Sequence, residues 1–124
     1  MESPYKGKTG LRRLINAFGY SMAGFRAAYK NEDAFRQEVL MAIVLLPLAF
    51  YLGKTALHTA LMIACVLLVM IVELLNSSIE ATVDRISLEN HQLAKRAKDI
   101  GSAAVLLSLI NLFVVWILLV FDCS

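Results

Sequence analysis

Five polar side chains share one helical face inside an otherwise apolar stretch. Glu73, Asn76, Ser77, Glu80 and Asp84 stand at offsets 0, 3, 4, 7 and 11, and residues so spaced line one side of a helix. Leu74, Leu75, Ile79 and Val83 fall largely on other sides. With a helix starting near Thr55, Glu73 lies about 27 Å along it, just inside the far edge of a hydrocarbon core roughly 30 Å thick. Glu80 lies about 10 Å further out, in water. One face thus sets a carboxylate at headgroup depth and another at cytosolic depth. Chemistry that joins a membrane alcohol to a soluble phosphate donor needs that arrangement. A charge within the core costs about 2.5–3.5 kcal/mol, so a repeated acidic stripe calls for a use. A proton or cation pathway is the rival use, and for Glu73 alone simple exposure to water is another.

Other polar groups flank the apolar stretches. Asn31-Glu32-Asp33 precedes the first, with Arg36-Gln37-Glu38 one turn on. Asn31 could cap that helix and Glu32 could complement its dipole. Glu89-Asn90-His91 and Lys95-Arg96-Ala97-Lys98-Asp99 precede the last. Magnesium takes one or two carboxylates together with phosphate oxygens, a role open to Glu32 and Glu80. Phosphoryl transfer also needs positive charge on the phosphates and a group that orients the attacking hydroxyl. Lys98 fits the first requirement and Glu73 the second. Gly7-Lys8-Thr9 imitates the end of a phosphate-binding loop, but position 2 is Glu2, not glycine, and no strand precedes it. His58 sits at the opposite edge from the acidic face and reads as a local interface residue.

The elements that must position these groups are legible in hydropathy and charge. Of 124 residues, 59% are hydrophobic, against about 45–50% for soluble domains. The formal net charge of +2 gives no case for a nucleic-acid partner. Val39–Leu52, Ala56–Val72 and the 22 residues Ile100–Phe121 carry no charged side chain. Extended by their polar flanks, they predict spans over about 34–52, 55–85 and 91–121, the second including a cytoplasmic extension. Pro47 predicts a kink that membrane helices tolerate. Gly53-Lys54-Thr55 is a tight link between the first two spans. Eleven of the twelve Lys and Arg residues lie before Leu40 or from Arg85 to Lys98. The positive-inside rule then puts the N-terminus in the cytoplasm and the C-terminus outside. Leu11, Leu14, Ile15, Phe18, Met22, Phe25 and Tyr29 recur every three or four residues, which predicts an amphipathic helix over about 11–30 lying in the membrane interface. Cys65 and Cys123 fall at different depths, so no disulfide is expected between them. The fold expected is an all-α membrane protein, one domain over 1–124, with a surface helix and three transmembrane helices. The rows Ala56/Ala60/Ala64 and Ala97/Gly101 are expected to allow close helix contact.

Glu73-Leu74-Leu75-Asn76-Ser77-Ser78-Ile79-Glu80-Ala81-Thr82-Val83-Asp84-Arg85 resembles the signature of the small prokaryotic integral membrane diacylglycerol kinases. The resemblance extends to Gly19-Tyr20-Ser21, Gly24-Phe25-Arg26-Ala27-Ala28, Asn31-Glu32, Ala34-Phe35-Arg36-Gln37-Glu38 and Arg96-Ala97-Lys98-Asp99, followed by Gly101-Ser102-Ala103-Ala104-Val105. It implies a homotrimer in a bacterial inner membrane, with active sites shared between neighbouring subunits. It implies that ATP and Mg2+ serve to phosphorylate diacylglycerol. Undecaprenol kinases are expected to share the fold and differ in the acceptor lipid. Carried over by position, Glu73 matches the proton acceptor and Asn76 a catalytic neighbour. Glu32 and Glu80 match the ligands of the ATP-bound cation. Tyr20, Glu89, Asn90, His91, Lys98 and Asp99 match nucleotide contacts, together with Glu32 and Glu80. Arg13, Arg26, Tyr29, Glu38, Glu73, Ser102 and Trp116 match the lipid-facing part of the site. The chain departs from the usual family residues at Met22, Tyr29 and Asn90.

Overall fold

A computed structural model describes residues 10–86 and 91–123. Four helices follow one another: α1 Gly10–Asn31, α2 Asp33–Leu52, α3 Ala56–Ile86 and α4 His91–Val120. Each bound lies within one residue of the expected one. Glu89 and Asn90, expected at the nucleotide, lie outside the described residues, and of His91 only the backbone is described. The chain is an all-α membrane protein, and α2, α3 and α4 are each long and apolar enough to cross a bilayer. Two compact units divide it, one ending at Glu32 and one beginning at Asp33.

The first unit is α1. It opens at Gly10, whose φ of 61° lies in the left-handed region that only glycine enters cheaply. Lys30 sits in the last turn, where a cation complements the helix dipole. The Asn31 side chain donates to the Ala27 carbonyl at 2.9 Å. Asn31 therefore closes α1, and the capping role considered for it at the next helix is not what its side chain does. The apolar stripe is open: Leu11, Leu14, Ile15 and Phe18 are each more than 60% exposed. A soluble helix would cover such a row, and an interfacial helix sinks it into lipid.

In the second unit α3 packs against both α2 and α4. α2 begins at Asp33, whose carboxylate accepts from Arg36 one turn on. It stays an unbroken helix across Pro47. A tight hairpin then turns the chain. The Gly53 N–H donates to the Ala49 carbonyl at 2.9 Å, and a Cβ on Gly53 would collide with Thr59 and with that carbonyl. Thr55 caps α3 through its hydroxyl, which accepts from the His58 N–H at 3.1 Å. Lys54 donates to the carbonyls of Val120 and Asp122, and His58 lies 3.2 Å from the Asp122 carboxylate. The hairpin is thus fastened to the end of α4, and His58 is the interface residue expected.

The core between these helices holds Ala42 and Ala49 of α2, Met62, Cys65 and Val66 of α3, and Trp116 of α4. The indole N–H of Trp116 donates to the Met62 carbonyl at 3.1 Å, and Asn111 donates to Cys65 Sγ at 3.5 Å. Both cysteines are free. The small residues that let α2 and α3 approach are Ala42 and Ala49, one heptad apart on the buried side. Ala56, Ala60 and Ala64 face outward. Gly101 is buried against α3, as the second small-residue row implied.

Candidate active site

The polar stripe of α3 turns inward at its membrane end. Glu73 is 4% exposed and Asn76 8%, and Glu38 of α2 is likewise 8% exposed. Burial of three such groups in a membrane bundle is costly unless partners or function compensate. Glu73 has one partner on its own helix: its carboxylate accepts from the Ser77 hydroxyl at 3.1 Å, one turn on. It has a second group beside it, the Glu38 carboxyl from α2, within hydrogen-bonding reach. One oxygen of Glu38 and the amide oxygen of Asn76 are buried with no hydrogen-bond partner among the described residues. Polar atoms in that state are unusual in proteins.

Two turns further along α3 the stripe reaches water. Glu80 is half-buried, and its charge acts on Lys98 from across the helix pair. The Lys98 ammonium lies 2.5 Å from an Asp84 oxygen, tying the C-terminal end of α3 to the N-terminal part of α4. Lys98 is therefore brought to the acidic face. Asp99 points elsewhere. It pairs with Lys95 at 2.7 Å along α4 and lines an open groove with Gln92, Arg96, Ile100 and Ala103. Successive helical residues diverge by about 100°, so Lys98 and Asp99 serve different faces of one helix.

The other expected residues divide by position. Ser102 follows Gly101 on the exposed side of α4. Trp116 is in the core against Met62, which lies about 16 Å along α3 from Glu73. Within this chain it stands away from the carboxyl pair. Arg13, Tyr20, Arg26 and Tyr29 are exposed on α1 and Glu32 follows its end half-buried. These five belong to the first unit and are described with it.

Ser77, Asp84 and Gly101 join the site although none is assigned a role from sequence. Ser77 and Asp84 carry a signal, since both stand on the helical face of Glu73. Gly101 has none in spacing alone, because its place depends on how α4 meets α3.

The donor set suits a hard cation that arrives with phosphates. Among the described residues no three His, Cys, Asp or Glu side chains gather into a cage. Magnesium is seldom held by an all-protein cage; one or two carboxylates beside nucleotide oxygens suffice. Glu80, half-buried and next to a lysine, is such a carboxylate.

Comparison with known proteins fits this geometry. The family described as prokaryotic diacylglycerol kinase matches residues 19–120. A diacylglycerol kinase of Pseudomonas aeruginosa is 60% identical over 114 residues, covering 92% of this chain and 93% of its own length. One from Haemophilus influenzae is 53% identical over 108 residues, covering 87% and 92%. One from Escherichia coli K12 is 50% identical over 114 residues, covering 92% and 93%. Similarity of that extent leaves no element of the second unit outside the match, and the chain belongs to the prokaryotic diacylglycerol kinase family.

Proposed function

We propose that this chain transfers the γ-phosphate of ATP to the free hydroxyl of diacylglycerol at the cytoplasmic surface of a bacterial membrane. The observation that carries the reading is one helix face. It buries Glu73 and Asn76 and becomes more open two turns later at Glu80, where α4 brings in Lys98.

The lipid hydroxyl sits against Glu73, which accepts its proton as the oxygen attacks the γ-phosphorus. The O–H bond breaks, a new O–P bond forms, and the bond from phosphorus to the bridging oxygen breaks, leaving ADP and phosphatidate. Ser77 holds one carboxylate oxygen so that the other faces the substrate. Glu38 stands beside the base as the neighbour through which its proton can be passed on. Lys98 exchanges Asp84 for a phosphate oxygen when nucleotide binds, which places positive charge where the transition state is most negative. Glu80, with Glu32 carried over from the family resemblance, would hold a magnesium ion, which neutralises phosphate charge when bound. Tyr20, Glu89, Asn90, His91 and Asp99 complete the nucleotide contacts in this reading. Arg13, Arg26, Tyr29 and Ser102 line the path of the lipid, and Trp116, packed in the core against Met62, is left out of it.

The functional unit is a homotrimer with sites shared between subunits. Two features support this. Lys98 and Asp99 face different sides of α4, so one chain does not gather both at Glu80. Most of the apolar surface of the spans is also left uncovered by the chain itself. Orientation follows the basic residues, with the N-terminus cytoplasmic and the C-terminus outward.

The decisive experiment is transfer of radiolabelled phosphate from ATP in micelles, with diacylglycerol and undecaprenol supplied separately. Labelled phosphatidate is the expected product. Label in the polyprenol alone would move the acceptor, and label in neither would remove the kinase reading in favour of a proton or cation pathway.

A further inference from the structure

On α4, Gly101 lies against the Asn76 side chain of α3. A methyl group built on Gly101 would overlap the Asn76 amide oxygen. The three nearest heavy atoms all belong to Asn76, the third at 3.9 Å, so no backbone stands in the way. The amide oxygen is buried there without a hydrogen-bond partner among the described residues. It faces the bare Cα of a glycine, and a Cα–H group is a weak donor that suits an oxygen. Turned the other way, the amide would set its own N–H groups against C–H, donor against donor. The oxygen therefore belongs inward, and the NH2 end is left for a partner, on a side chain one turn from Glu73.

We propose that Gly101 is a positioning residue that turns the Asn76 amide into a fixed hydrogen-bond donor beside Glu73. On the lipid-kinase reading, on which this rests, the two N–H groups of Asn76 point at oxygen carrying negative charge between the lipid hydroxyl and the γ-phosphate. Donors preset toward developing charge lower the barrier more than they aid binding. A side chain at position 101 displaces only the amide, so it costs orientation rather than fold.

Gly101→Ala tests this directly. Alanine favours a helix interior over glycine, so the melting temperature should hold or rise. The turnover number should fall by about 10- to 100-fold, with KM for ATP and for diacylglycerol within about threefold of the parent. In an Asn76→Ala background, where the obstacle is gone, adding Gly101→Ala should change the residual turnover by less than about twofold. Parental turnover in Gly101→Ala overturns the proposal. So does the same fractional loss in both backgrounds, or a variant that fails to fold in both, since Gly101 would then serve packing unrelated to Asn76. A parent protein with no lipid phosphorylation defeats the kinase reading instead. Coupling of the two positions in melting temperature would then still show whether the contact exists.

Discussion

At the scale of single residues, the site is defined by buried polar groups that the fold leaves incompletely satisfied. Glu73 keeps a helix-local partner in Ser77 and a neighbour in Glu38, and that combination separates chemistry from support. Glu73→Gln preserves size and can still accept from Ser77, so the fold should survive it. The amide cannot take the hydroxyl proton. Phosphate transfer should fall by about 10²–10⁴-fold, the usual worth of a positioned base, while the melting temperature moves little. Parental activity in that variant would remove Glu73 from the mechanism. Glu38→Gln keeps a hydrogen-bonding group beside Glu73 and alters only the proton pathway. Its loss should be smaller, about tenfold, and should show as a displaced pH–rate profile rather than as weaker lipid binding. Trp116 answers to a different logic. Its indole N–H is spent on the Met62 carbonyl in the core, so Trp116→Phe should cost about 1 kcal/mol of stability, read from thermal unfolding in detergent.

At the scale of elements, helix limits were readable to within a residue, while the neighbours of each face were not. Uncharged runs, the Gly53-Lys54-Thr55 link and the basic clusters are local signals, and they delimit α1 to α4 without reference to packing. The shared face of Glu73, Asn76 and Glu80 is also local, since 3.6-residue periodicity fixes it. Which helix meets that face is not. Nothing in spacing distinguishes Ala42 and Ala49, which are buried, from Ala56, Ala60 and Ala64, which are not. The nearness of Glu38 to Glu73, and of Asp84 to Lys98, likewise depends on how three helices lean together. Asn31 shows the same limit at short range, because a polar residue between two helices can close one or open the next. The α3–α4 contact at Asp84 and Lys98 carries its own test. Both side chains are well exposed, so their pairing adds little to stability and chiefly competes with phosphate for the lysine. Asp84→Asn should leave unfolding unchanged and lower KM for ATP about two- to threefold at low salt, an effect that fades as ionic strength screens the competition. A raised KM would instead make Asp84 an organiser of the nucleotide site.

At the scale of the whole molecule, the two ends of the helical bundle carry different chemistry. The end expected in the cytoplasm carries Glu80, Asp84 and Lys98. The opposite end carries the hairpin, fastened by Lys54 and His58 to the residues that follow α4. That clamp makes the hairpin and the C-terminus report on one side of the membrane together. Cys123 is exposed within the clamped segment, whereas Cys65 is buried in the core, so the natural sequence already holds a single accessible thiol as a topology probe. A membrane-impermeant maleimide added to intact spheroplasts should therefore label the protein at Cys123, and Cys123→Ser should abolish the label without loss of transfer activity. Sealed inside-out vesicles should resist labelling until detergent opens them. Lys54 is the lone basic residue at the hairpin end, a charge bias that predicts this orientation. Labelling in inside-out vesicles and protection in spheroplasts would invert the topology. It would carry Glu80 and Lys98 away from cytosolic ATP, and the kinase reading could not survive with its donor on the wrong side of the bilayer.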